Sequence, residues 1–302
     1  MKRLFLTIIC MVAIFIILGF PEMTTSGVRQ GIKLNLYSVI PSLLPFMVLT
    51  NIMIKYGLCE YISFIFKPVL SKIFKVSSMG CFAIIIGFSC GYPMGAKIIG
   101  DLRKNNLLSK SEACYLITFC NNCSITFLLN YILFSCLGSN IPLYEILLLV
   151  YSPPVITGII NKFLLKPDIN TDTGINYPTD NSNPILNAVK SISILSVYII
   201  CFTVISQWIS SISFLPEASK CIIAGMTEIT SGANFIAAAM RNTPAKDFLI
   251  LACTVWGGLS IMFQSFEQLP DINLKKYYFI GKLEQLAIYC FGYLIVLYFY
   301  RL

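Results

Sequence analysis

Apolar residues in this chain gather into long runs separated by short polar connections. The runs cover residues 4–20, 37–57, 79–100, 113–137, 142–165, 186–214, 218–240, 248–266 and 284–300. A bilayer core needs about 20 apolar residues per helix. The pattern therefore predicts an all-α polytopic membrane protein, one transmembrane domain over residues 1–302. The short alternating segments of a β-barrel are absent. Between 58 and 76, in LCEYISFIFKPVLSKIFKV, lysines alternate with aromatic and aliphatic residues at helical spacing, which suits a helix lying among the headgroups.

The breaks inside the apolar runs refine this picture. GFSCGYPMG, residues 87–95, sets three glycines and a proline inside an otherwise apolar run. Irregular backbone at membrane depth is tolerated only where protein or a wet cavity covers it. Charge bias points the same way. If every run spanned, Arg103, Lys104 and Lys110 would lie opposite Lys55, Lys67, Lys72 and Lys75, against the positive-inside rule. A turn back at Gly87–Gly95 puts both clusters in the cytoplasm, with arms of about ten residues, roughly 15 Å, reaching mid-bilayer. The same treatment of 218–240 leaves Glu217, Lys220, Arg241 and Lys246 outside and Lys275, Lys276 and Lys282 inside. The expectation is about seven spanning helices plus two re-entrant hairpins, the first entering from the cytoplasm and the second from outside.

A polar connection, 166–184, rich in Asp, Asn, Thr and Pro, separates a first repeat, 35–165, from a second, 185–302; an anchor helix and connection occupy 1–34. MGAKIIGDL overlays SGANFIAAAM, with Gly95-Ala96 on Gly232-Ala233. FCNNCSITF overlays VWGGLSIMF, with Ser124-Ile125 on Ser260-Ile261 and Phe127 on Phe263. With three spans in each half, an odd number, the halves would be inverted, as in secondary transporters.

Composition agrees with the membrane reading: 57% of residues are hydrophobic, 12% are charged, and mean hydropathy is +0.78. Soluble domains carry about a quarter charged residues. The net charge of +8 comes from Lys and Arg in short connections; it reports topology and implies no nucleic-acid partner. Histidine is absent, which removes the commonest general base and metal ligand. No clustered Asp motif or nucleophile elbow supports an enzyme. Most of the twelve cysteines lie in apolar runs, and Cys120-Asn-Asn-Cys123 lacks the context of a redox or zinc motif. Met1-Lys2-Arg3 opens the chain, and the first run ends at Gly19-Phe20-Pro21-Glu22 with no small-x-small cleavage site, which predicts an uncleaved anchor.

Candidate solute-binding groups fall at the breaks. The first tip offers Ser89, Cys90, Gly91, Tyr92 and Gly95. The N-terminus of the returning half-helix, with Lys97 in its first turn, favours an anion; the alternative is that the glycines serve packing and Lys97 snorkels outward. The second tip offers Thr227, Glu228, Thr230, Ser231 and Asn234. Glu228 could hold a proton or sodium ion, touch the solute, or pair with Lys97. The interrupted helices carry Asn121, Asn122 and Ser124 in the first half, and Ser260 and Gln264 beside Gly257-Gly258 in the second. Pro41, Pro45, Pro153 and Pro154 read as helix kinks. No cofactor or metal is expected; a coupling H+ or Na+ is left open.

GFSCGYPMGAKIIGDL together with TEITSG resembles the YlbJ-like sporulation integral membrane proteins of endospore-forming bacteria, which group with nucleoside-recognition or gate-domain membrane proteins. The resemblance extends along essentially the whole chain. Ile125 stands where the family pattern carries proline, and Cys90 where it carries serine. The resemblance implies the gate architecture of concentrative nucleoside transporters, with two opposed hairpins and two broken helices. It further implies a mother-cell role in sporulation and movement of dipicolinic acid, a small anionic aromatic solute, across the outer forespore membrane. The competing readings are a non-transporting scaffold for spore envelope assembly and a carrier of nucleoside-like solutes. The partners expected are the lipid bilayer and that solute, with a homo-oligomer left open.

Overall fold

Helices form wherever the apolar runs predict them, because lipid offers the backbone no hydrogen-bond partner outside its own segment. The computed structural model describes residues 2–137, 141–169, 183–241 and 243–300, and among these the regular structure is all helical. Helix α1 is Lys2–Gly19. Helix α2, Pro21–Leu34, runs through a π-helical turn, Asn35–Val39, into α3, Ile40–Lys55. Then come α4, Cys59–Phe74, α5, Ser78–Cys90, and α6, Met94–Lys104. Helix α7, Lys110–Leu116, precedes an irregular stretch, after which α8, Ile125–Phe127, continues as a π-helical run, Leu128–Leu137. Helices α9, Leu143–Leu165, and α10, Pro184–Ser210, follow. The remainder is α11, Glu217–Thr227, α12, Ile229–Ala239, α13, Pro244–Trp256, α14, Gly258–Gln268, and α15, Ile272–Tyr300.

Among the described residues, five helical stretches are long and apolar enough to cross a bilayer: Pro21–Lys55, Leu143–Leu165, Pro184–Ser210, Pro244–Gln268 and Ile272–Tyr298. A sixth arises if α4 and α5, which meet at 94°, count as one bent span. The run 113–137 enters this count on neither basis, because its helix stops at Leu116 and restarts at Ile125. The right-angled bend sets α4 across α5, and the outer face of α4 carries exposed Tyr61, Phe64 and Ile65. Most of the polar connection 166–184, residues 170–182, lies outside the described residues.

One helix departs from the sequence reading. Residues 21–34 read as a connection because PEMTTSGVRQGIKL is polar, yet they form α2, which packs along α10. Its small residues explain the fit. A Cβ on Gly27 would lie 2.7 Å from Val204 Cα, and one on Gly31 would lie 2.8 Å from Ile200 Cα. This is the small-xxx-small spacing that lets membrane helices touch backbone to backbone. Polar side chains reinforce it: Thr203 Oγ1 donates to Gly27 O at 3.0 Å, Gln207 to Gln30 at 2.7 Å, and Trp208 Nε1 to Thr24 Oγ1 at 3.1 Å.

In two places the chain folds back on itself. Helices α5 and α6 pack side by side, joined only by Gly91-Tyr92-Pro93. Helices α11 and α12 do the same around Glu228, so tightly that a Cβ on Gly232 would lie 2.5 Å from Gly225 Cα. The packing pattern of one half recurs in the other. Helix α7 touches α5, α6, α9 and α15, while α13 touches α11, α12, α15 and α9. Returning arm α6 packs on α14, beyond the break in the second half, and returning arm α12 packs on the π-helical run beyond the break in the first.

Candidate functional site

Close backbone approach builds the first tip. A Cβ on either Gly87 or Gly95 would lie 2.0 Å from the Cys120 carbonyl oxygen, so both arms of the α5–α6 hairpin clasp the irregular stretch between α7 and α8. Asn121 fixes the arrangement. Its Oδ1 accepts from Ala96 N at 3.2 Å, and its Nδ2 donates to Ser265 Oγ at 2.8 Å. The N-terminus of α6, which the sequence offers to an anion, is thus already occupied by an amide oxygen. Ser124 caps the restarting helix, accepting from Phe127 N at 3.2 Å. Tyr92 leans across to the other half, its hydroxyl 3.1 Å from Thr254 O and 3.2 Å from Val255 O. Cys90 is buried, whereas Ser89 is exposed.

The second tip is closed in a similar way. The buried Glu228 carboxylate accepts from Thr230 N at 3.0 Å, and from Ser231 N and Oγ, each at 2.6 Å. It is the N-cap of α12, and its charge faces the positive end of that helix. Thr227 Oγ1 bonds Ile223 O, and Tyr131 donates to Thr230 O at 2.9 Å. Beside this tip the second broken helix turns at Gly257 and Gly258, whose φ values of +86° and +81° suit glycine. Ser260 accepts from Gln264 at 3.0 Å within α14. Asn234 is exposed and accepts from the Cys136 thiol at 3.6 Å.

Lys97 does not pair with Glu228. It forms an ion pair with Asp101, one turn on, and donates to Asn51 Oδ1 at 3.0 Å. The lysine is 2% exposed, and Asp101 is partly open. Both line a cavity of about 480 Å³ between α3, α6, α10 and α14. Lys55, Lys104, Lys190 and Glu267 complete its charged wall, giving four cations against two carboxylates. Sequence reasoning found Lys97 and missed the rest. The i,i+4 spacing of Lys97 and Asp101 was the available signal.

A second group also escaped. Lys282 reads as a cytoplasmic flanking lysine because the last apolar run starts at 284, but α15 begins at Ile272 and buries it. Its ammonium lies 3.2 Å from Tyr92 Oη, 3.2 Å from Val255 O, 3.5 Å from Asn122 Oδ1 and 3.0 Å from Gln285 Oε1. Gln285 in turn donates to Thr118 O at 2.7 Å. Thus Tyr92 and Asn122, from the candidate set, come together with Lys282 between the first tip and both breaks. Glu228, Thr230 and Ser231 form a separate cluster, and Lys97 faces the cavity.

A family profile described as "Gate: Nucleoside recognition" matches residues 36–137, the stretch that holds the first hairpin and the first broken helix. Over 112 residues the chain is 30% identical to "Sporulation integral membrane protein YlbJ" of Bacillus subtilis (strain 168), an alignment covering 37% of this chain and 28% of that protein. The match therefore spans less than a third of that relative's length. No solved structure gives a significant match.

Proposed function

Proceeding from an integral membrane chain that is YlbJ-like over part of its length and carries a nucleoside-recognition gate segment, we propose that it is a carrier or facilitator for a small anionic solute. One observation carries this reading. Each hairpin returns against the broken helix of the opposite half, α6 on α14 and α12 on the run after α8. In this reading residues 35–165 and 185–302 are inverted repeats, with seven spans and two re-entrant hairpins, and solute passes where the tips meet the breaks. Irregular backbone at that depth has its protein cover. Movement of one repeat against the other alternates access.

The cavity beside Lys97 is the cytoplasmic vestibule. Its cationic excess draws anions and disfavours cations, since charge lining a low-dielectric cleft concentrates the opposite ion. The solute we propose is dipicolinic acid, and the place of action is the outer forespore membrane of the sporulating mother cell. That choice rests on the family resemblance and on the fit of a dicarboxylate to a lysine-rich, amide-rich wall. The test is uptake of labelled dipicolinate by liposomes containing the purified chain. Saturable uptake above empty liposomes is expected; its absence, with folded protein in the bilayer, favours the scaffold reading instead.

A further inference from the structure

The carrier reading gives no role to the buried Lys282. Lys282 is 1% exposed, and none of the four oxygens around its ammonium belongs to a carboxylate. The Tyr92 ring centroid lies 4.8 Å away and adds a cation–π contact. A protonated Lys282 is therefore solvated by neutral groups and not matched by an opposite charge, an arrangement that carries a desolvation penalty. Lys97 differs on this point, because Asp101 matches it.

The cage is also over-supplied. An ammonium has three N–H donors, and four acceptors stand within 3.5 Å. One acceptor can leave without stranding a proton. Tyr92 is the replaceable one, since its own hydroxyl also reaches Thr254 O and Val255 O. A carboxylate oxygen is a stronger acceptor for an ammonium than a phenol, and it brings the missing negative charge. The partners lie on the parts a gate would move: Tyr92 on the first tip, Asn122 at the first break, and Val255 just before the second.

Resting on the carrier reading, we propose that Lys282 is the anion-selecting residue of the solute site. A carboxylate of the solute replaces Tyr92 on the Lys282 ammonium, and the exchange loosens the first hairpin tip from α15. Charge selection and gate release are then one event.

The test uses the purified full chain, with dipicolinate and its uncharged diamide as probes. Binding is measured in detergent and transport in liposomes. Wild type should bind dipicolinate in preference to the diamide. Lys282→Met should weaken dipicolinate binding by about tenfold or more and abolish the preference. Lys282→Arg should keep the preference. If the Met variant fails to fold, Lys282→Gln takes its place with the same expectation. A folded neutral variant that binds dipicolinate like wild type overturns the inference, even if transport proceeds. So does a wild type that shows no preference between the probes. Lysine-dependent binding without transport supports the anion site and overturns the carrier reading.

Discussion

Glu228 shows how burial and capping change the meaning of a carboxylate in an apolar run. Among the described residues, the three hydrogen bonds of its carboxylate go to its own helix start, at Thr230 and Ser231. Glu228→Ala should therefore destabilise the second hairpin by about 1 kcal/mol, the usual cost of a lost N-cap. Glu228→Gln, which keeps one acceptor, should recover much of that in thermal unfolding of the detergent-solubilised protein. If both variants unfold like wild type while transport disappears, the carboxylate acts on solute or coupling ion and not as a cap. Lys97 gives a complementary case. Lys97→Met leaves Asp101 facing a cavity stripped of its deepest cation. The single variant should lose dicarboxylate uptake about tenfold, as expected for one removed charge-assisted contact. Adding Asp101→Asn should restore stability but leave binding weak, and recovery of uptake in the double variant would remove Lys97 from the solute path.

At the scale of elements, the hairpins depend on backbone contact more than on side-chain volume. Gly95→Ala drives a methyl into the Cys120 carbonyl and should cost about 1–3 kcal/mol. Gly19→Ala is the control: nothing lies within 4 Å of its added Cβ, and its unfolding curve should match wild type. Equal behaviour of the two variants would mean that the α5–α6 hairpin does not clasp the broken helix. Breaks of this kind were legible in the chain, because clustered glycine and proline weaken a helix and free backbone groups that lipid cannot satisfy. Gly91-Tyr92-Pro93 and Gly257-Gly258 both fall where the pattern put them. What the sequence hid is what depends on distant partners. Helix α2 looks like a linker until α10 supplies Val204 and Ile200 for its glycines. The start of α6 looks free until Asn121 reaches it from the next break. Lys282 looks like an edge charge because local hydropathy cannot register Tyr92, 190 residues away.

For the whole molecule, the matched packing of the two halves is the feature that links structure to function. Helices α3 and α10 lie against each other, as do α9 and α15. Among the described residues the span count alone leaves five or six crossings and does not fix which face each hairpin opens toward. Accessibility does fix it. Single cysteines at Lys72, Lys104, Glu217 and Arg241, all exposed positions flanking the two hairpins, can be labelled from either side of a sealed vesicle after the exposed native Cys10 and Cys201 are replaced. Opposed re-entrant hairpins predict that positions 72 and 104 react together from the cytoplasmic side, and that 217 and 241 react together from the other. Reaction of 72 and 104 from opposite sides would contradict the account, since residues 78–104 would then cross the membrane and no gate would lie between the two halves.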